Sequence, residues 1–125
     1  MPVRAVLAGH ADVAQGLVSA VQAIAGQGDA FAPLSNAGFG ADALLAALRT
    51  AVETHGVRVV FTDLPAGSAT LAARRLQRER PDLTVVAGAN LAVLLEFAMR
   101  PEASAADAAE KGRAAIVAWP ATTGR

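Results

Sequence analysis

The sequence contains no cysteine. Disulfides, thiol nucleophiles and cysteine-based metal sites are excluded together, and a reducing compartment, the cytosol, is the expected location. Aromatic residues make up 4% of a chain that is 54% apolar, so the core must be assembled from alanine, valine and leucine with few large side chains. That composition favours helices packed closely on a sheet. Lysine plus arginine equals aspartate plus glutamate at 11 each, and with no net field there is nothing to draw the chain to nucleic acid or anionic lipid. No run approaches the about 18 apolar residues of a membrane span, and MPVRAVLAGH lacks the apolar segment and cleavage pattern of a signal peptide. A protein without membrane insertion is expected.

With 125 residues the chain suits one domain, 1–125, burying roughly two thirds of the surface of its unfolded form. Short apolar runs alternate with amphipathic ones. Val3 to Ala8 (VRAVLA), closed by Gly9, reads as a strand buried on both faces; Val13, Leu17, Val21 and Ile24 then recur at helical spacing up to Gly26. Residues 30–34 (AFAPL) suggest a second strand, irregular and exposed where Pro33 runs into SNAGFG. From Asp42, Leu44, Leu45, Leu48 and Val52 mark a helix ending near His55-Gly56. Val57 to Thr62 (VRVVFT) is the clearest strand, followed by the turn DLPAGS and a helix from about Gly67 to Arg78. Leu83 to Ala87 forms a fourth strand, closed by GAN and backed by the helix LAVLLEFAMR; SAADAAEKGR reads as a short helix and AAIVAW as a last strand.

Strands alternating with helices imply an α/β, doubly wound, mainly parallel four-stranded sheet with right-handed crossovers and helices on both faces. Ligands of such sheets bind beyond the carboxyl ends of the strands, where the strand order reverses. His10 follows the first strand, Asp63 ends the third and Asn90 follows the fourth, so all three are expected on one edge.

A carboxylate that accepts from one imidazole nitrogen fixes the tautomer and leaves the other nitrogen as a lone-pair nucleophile. The helix beginning near Ala11 or Asp12 brings unpaired N–H groups and a positive dipole end beside His10, suited to an anion such as a phosphoryl group, and PAGS offers a second set of donors. Each residue alone has a plainer reading: a solvated loop histidine, an aspartate starting a turn, a serine capping the next helix. Their joint placement leaves the catalytic and structural readings both standing. His55, at the opposite end of the sheet, carries no expected chemistry. Arg74, Arg75, Arg78 and Arg80, interleaved with Glu79 and Asp82, read as a solvated face, and Trp119 as packing or interface.

AVLAGHADVAQGL, VVFTDLPAGSATLAARRL, TVVAGANLAVLLEFAMR and EKGRAAIV, in that order and spacing, resemble the IIA component of the mannose family of the bacterial phosphoenolpyruvate-dependent sugar phosphotransferase system. The resemblance runs over nearly the whole chain, and TDL..G and GANLAVLLE look closest to the N-acetylgalactosamine-type branch. It implies that His10 is phosphorylated by phosphohistidine on HPr and passes the group to a separate IIB protein. Asp63 would orient the imidazole. Ser68 and the backbone around Ala66 and Gly67 would line the phosphoryl pocket, with Asn90 on its strand-four side. Neither a cofactor nor a metal is implied.

Two departures stand out. The usual two glycines, serine or threonine, and proline after the aspartate are here Ala66, Gly67, Ser68 and Ala69, and the usual histidine-glycine after the first strand is His10-Ala11. A phosphocarrier subunit of dihydroxyacetone kinase and a non-transporting regulatory domain of the same fold are the rival readings. The last strand, Ala114 to Trp119, falls at a sheet edge, where unpaired backbone groups need a partner. The resemblance implies a homodimer in which it crosses to run antiparallel on the neighbouring subunit, with Trp119 buried across the interface.

Overall fold

A computed structural model describes residues 2–124. Four strands, β1 (Ala5–Gly9), β2 (Phe31–Ser35), β3 (Val59–Thr62) and β4 (Thr84–Ala87), form one parallel sheet in the order β2-β1-β3-β4. Five helices connect and follow them: α1 (Val13–Ala25), α2 (Ala41–His55), α3 (Ser68–Glu79), α4 (Leu91–Met99) and α5 (Ala105–Ala114). Every residue of β1 is buried, as its uninterrupted apolar run requires for a central strand covered on both faces. Pro33 sits inside a regular β2, opposite Leu7, because β2 is an edge strand and the missing N–H removes no required ladder bond.

Successive side chains of β1 and β3 point to opposite faces and so build two cores. Ala5, Leu7 and Phe61 join Val21, Leu94, Phe97 and Ala108 beneath α1, α4 and α5. Val6, Ala8 and Val60 join Leu44, Leu48, Ala73 and Leu76 beneath α2 and α3. The scarce aromatics are concentrated: Phe31, Phe61 and Phe97 meet with ring centroids 6.0, 6.0 and 5.1 Å apart. Phe61 is fully buried, a contribution of about 1.5–3 kcal/mol that also fixes the strand end two residues before Asp63.

The register sets the working edge. Gly9 pairs with Ser35 and Ala8 with Thr62, so His10, Asn36 and Asp63 emerge side by side where the chain order reverses between β1 and β3. The arginine face is solvated, as expected: Arg49 makes two bonds to Glu79 (3.0 and 2.8 Å) and Arg75 reaches Asp42 at 3.1 Å, exposed pairs between α2 and α3 that solvent screens. Among the described residues no helix is long and apolar enough to cross a membrane.

The C-terminal segment differs from expectation. Ala114 is the last residue of α5, and residues 116–119 have no regular structure. A strand exists only where a neighbour completes its hydrogen bonds, and among the described residues no strand of the same chain pairs with this segment. Ile116, Val117 and Trp119 are left 77, 59 and 86% exposed.

Candidate functional site

His10 is held by a single carboxylate oxygen. Asp63 Oδ2 accepts from the His10 backbone N–H at 2.9 Å and lies 2.8 Å from ring Nδ1. The approach depends on Gly9: a Cβ there would stand 2.5 Å from Val13 Cγ1 and 3.1 Å from the Asp63 carboxylate, closing the space that the aspartate fills. Burial pushes the Asp63 carboxyl up, but the backbone and ring hydrogen bonds from His10, with its charge, together hold it below the ordinary carboxylate range. An ionised carboxylate only accepts, so in the neutral imidazole Nδ1 carries the proton and Nε2 keeps its lone pair. The His10 side chain is 46% exposed against 14% for Asp63, leaving the ring accessible and its partner sheltered.

The turn from Thr62 to Ser68 places a helix end against that ring. The fully buried Thr62 hydroxyl meets Thr70 Oγ1 at 2.6 Å, and Thr70 donates to the Leu64 carbonyl, so a strand end, a turn and the first helical turn are fastened together. Gly67 precedes α3 with φ 136°, a conformation that side chains rarely adopt. A Cβ on it would lie 3.2 Å from His10 Cε1 and 3.8 Å from Nε2, so the missing side chain keeps the space beside Nε2 open. No side chain caps α3; its first intrahelical bond is Leu71 N to the Gly67 carbonyl at 2.9 Å, and the preceding N–H groups of the first turn belong to its positive end.

The other expected residues divide. Ala66 has no positive φ, so alanine in place of the usual glycine imposes no backbone strain there. Ala11 is the strained position, with φ 47°, the only non-glycine residue described in the left-handed region. Its N–H donates to Asn36 Oδ1 at 3.2 Å, and Val13 N donates to the His10 carbonyl at 3.0 Å. These two groups at the start of α1 are therefore engaged within the chain. Asn90 caps α4 by accepting from Val93 N at 2.9 Å and clasps α5 by donating to the Gly112 carbonyl at 2.9 Å. It borders a separate hollow of about 220 Å³ between Pro65, Gly88, Arg113 and Ile116, whose walls do not include His10.

Asn36 was not singled out by the sequence. Its side chain bridges Ala11 N and Ser68 Oγ, the second contact being 2.9 Å. The signal was its position directly after β2, on the edge that β1 and β3 already marked. Among the described residues no group of three or more histidines, cysteines or acids converges as a metal site.

The model of the PTS system fructose IIA component family, the EIIA-man group, matches residues 4–112. No curated protein matches the sequence. Among solved structures, the mannose/sorbose-specific IIA subunit of the phosphotransferase system from Enterococcus faecalis is 26% identical, with all of each chain covered and a TM-score of 0.79. The phosphotransferase component EIIA from Streptococcus agalactiae is 21% identical over 93% of this chain and 96% of that one, with a TM-score of 0.80. The IIA protein associated with the fucose utilization operon of Streptococcus pneumoniae is 16% identical over 94 and 93%, with a TM-score of 0.81; the last two likenesses speak to the fold alone. The family match spans all four strands and the His10–Asp63 edge, and the chain belongs to the mannose-type IIA components of the sugar phosphotransferase system.

Proposed function

We propose that the protein is a cytoplasmic phosphocarrier that takes a phosphoryl group from phospho-HPr onto His10 Nε2 and hands it to a IIB protein during sugar uptake. The observation that supports this reading is the His10–Asp63 pair: Nδ1 is held at 2.8 Å while Nε2 opens toward Gly67 and the start of α3. In the forward step the Nε2 lone pair attacks phosphorus, the N–P bond of phospho-HPr breaks, and its electron pair returns to the imidazole of HPr. His10 keeps its proton on Nδ1, and Asp63 stabilises the positive charge that the ring gains. The first-turn N–H groups of α3, with the Ser68 hydroxyl, receive the phosphoryl oxygens where the helix dipole favours negative charge. The reverse sequence delivers the group to IIB.

A homodimer completes the picture. Among the described residues no strand pairs with the outer side of the edge strand β4, and none pairs with the exposed apolar segment 116–119. Exchange of these segments between two copies, each running antiparallel beside the other's sheet, removes both exposures at once. Incubation with phosphoenolpyruvate, enzyme I, HPr and labelled phosphate tests the carrier role: label retained on His10 supports it, and none refutes it.

A further inference from the structure

The geometry points to Asn36 as a positioning residue that aims the Ser68 hydroxyl at the transferred phosphoryl group and holds Ala11 in its left-handed conformation. The inference rests on the phosphoryl pocket proposed above. Asn36 is fixed at both backbone ends, its N–H donating to the Gly9 carbonyl at 2.9 Å and its carbonyl accepting from Phe39 N at 3.1 Å. Its amide orientation follows from the neighbours. The Ala11 N–H can only donate, so Oδ1 must face it, and Nδ2 is turned to Ser68 Oγ.

That direction has a chemical consequence. A hydroxyl that accepts from an amide keeps its own proton for another acceptor, and among the described residues no protein group takes the Ser68 proton. Ser68 begins α3, next to the glycine that borders His10 Nε2. Its free proton is therefore available to an anion arriving there. One side chain thus links three strand ends: it receives the strained residue after β1, extends from the end of β2 and orders the first residue beyond the β3 turn. At Ala11, where φ is 47°, the bond to Oδ1 also offsets part of the cost of a left-handed alanine.

The test is a double-mutant cycle on the rate of phosphorylation by saturating phospho-HPr, using wild type, Asn36→Asp, Ser68→Ala and the double variant. Aspartate still accepts from Ala11 N but donates nothing to Ser68, whose hydroxyl turns to the new carboxylate and away from the pocket. Asn36→Asp should slow transfer by about tenfold or more, the size expected for one charge-assisted hydrogen bond. In the Ser68→Ala background the same change should cost far less, leaving only the repulsion of the added charge. Asn36→Ala, which adds no charge, should show the same coupling to Ser68, and Ala11→Gly should restore part of its loss. Thermal unfolding of each variant separates rate effects from misfolding. Losses that simply add in both cycles, or no rescue by Ala11→Gly, overturn the inference while wild type still labels. A wild-type protein that takes no label overturns the phosphocarrier reading itself and this inference with it.

Discussion

Ala11→Gly should stabilise the protein. Ala11 has φ 47°, and a residue with a Cβ in the left-handed region carries a cost of about 1–2 kcal/mol that glycine escapes. Glycine also loosens the unfolded chain, which takes back roughly 0.4–1 kcal/mol. The Ala11 methyl is exposed, so its removal opens no cavity, and the N–H that bonds to Asn36 is kept. The net expectation is a gain of about 0.5–1 kcal/mol. For a domain of this size that corresponds to a rise of roughly 2–5 °C in Tm. Urea unfolding followed by circular dichroism gives the value directly, provided the m-value is unchanged. A loss of stability beyond experimental error would refute the reasoning: the backbone strain at Ala11 would then be the smaller effect, outweighed by the rigidity that alanine gives this turn.

Asp63→Asn should slow phosphoryl transfer roughly ten- to a hundredfold without unfolding the chain, because it removes the ionised partner of Nδ1 and leaves both strands' packing intact. Since Asp63 is held below the ordinary carboxylate range when folded, the stability it contributes is complete above that range and is lost as pH falls through the lower folded value. The stability difference between wild type and Asp63→Asn should accordingly shrink as pH falls below the ordinary carboxylate range; a difference that stays undiminished in strong acid would contradict the assignment. Ala66→Gly should leave the phosphorylation rate unchanged or improve it, as Ala66 is unstrained, and a large loss would show that the turn has been misread. Removal of residues 116–125 should turn a dimer into a monomer or an aggregating chain in sedimentation; a full-length chain that is already monomeric at micromolar concentration would refute the dimer while leaving the His10 chemistry untouched.

The sheet was legible because its signals are local. The uninterrupted apolar runs of β1 and β3 could not belong to a half-exposed sheet, and the stripes of α1 and α2 had one period each. Strand ends then followed from topology, which is why His10 and Asp63 could be placed on one edge without knowledge of their 2.8 Å contact. What escaped depended on who bonds to whom. Ala11 and Asn90 had the right location, yet their groups are engaged by Asn36 and by Val93 with Gly112, pairings over sequence separations that no local pattern encodes. The importance of Ala11 rather than Ala66 was hidden for a related reason: both stand where glycine is usual, and only the backbone angle tells which of the two is strained. The segment after α5 has a strand's composition, but a run of apolar residues cannot supply the neighbour that makes a strand.

The measurement closest to the central claim is the site and chemistry of phosphorylation. Wild-type protein and His10→Ala should be treated with phosphoenolpyruvate, enzyme I, HPr and labelled phosphate, and the histidine adduct resolved by nitrogen-15 NMR. One phosphoryl group on His10 Nε2, with none on the alanine variant, is the expected result, because Nδ1 keeps its proton in the hydrogen bond to Asp63 and has no lone pair to offer. Label on Nδ1, or undiminished labelling of His10→Ala, would contradict the account at its root.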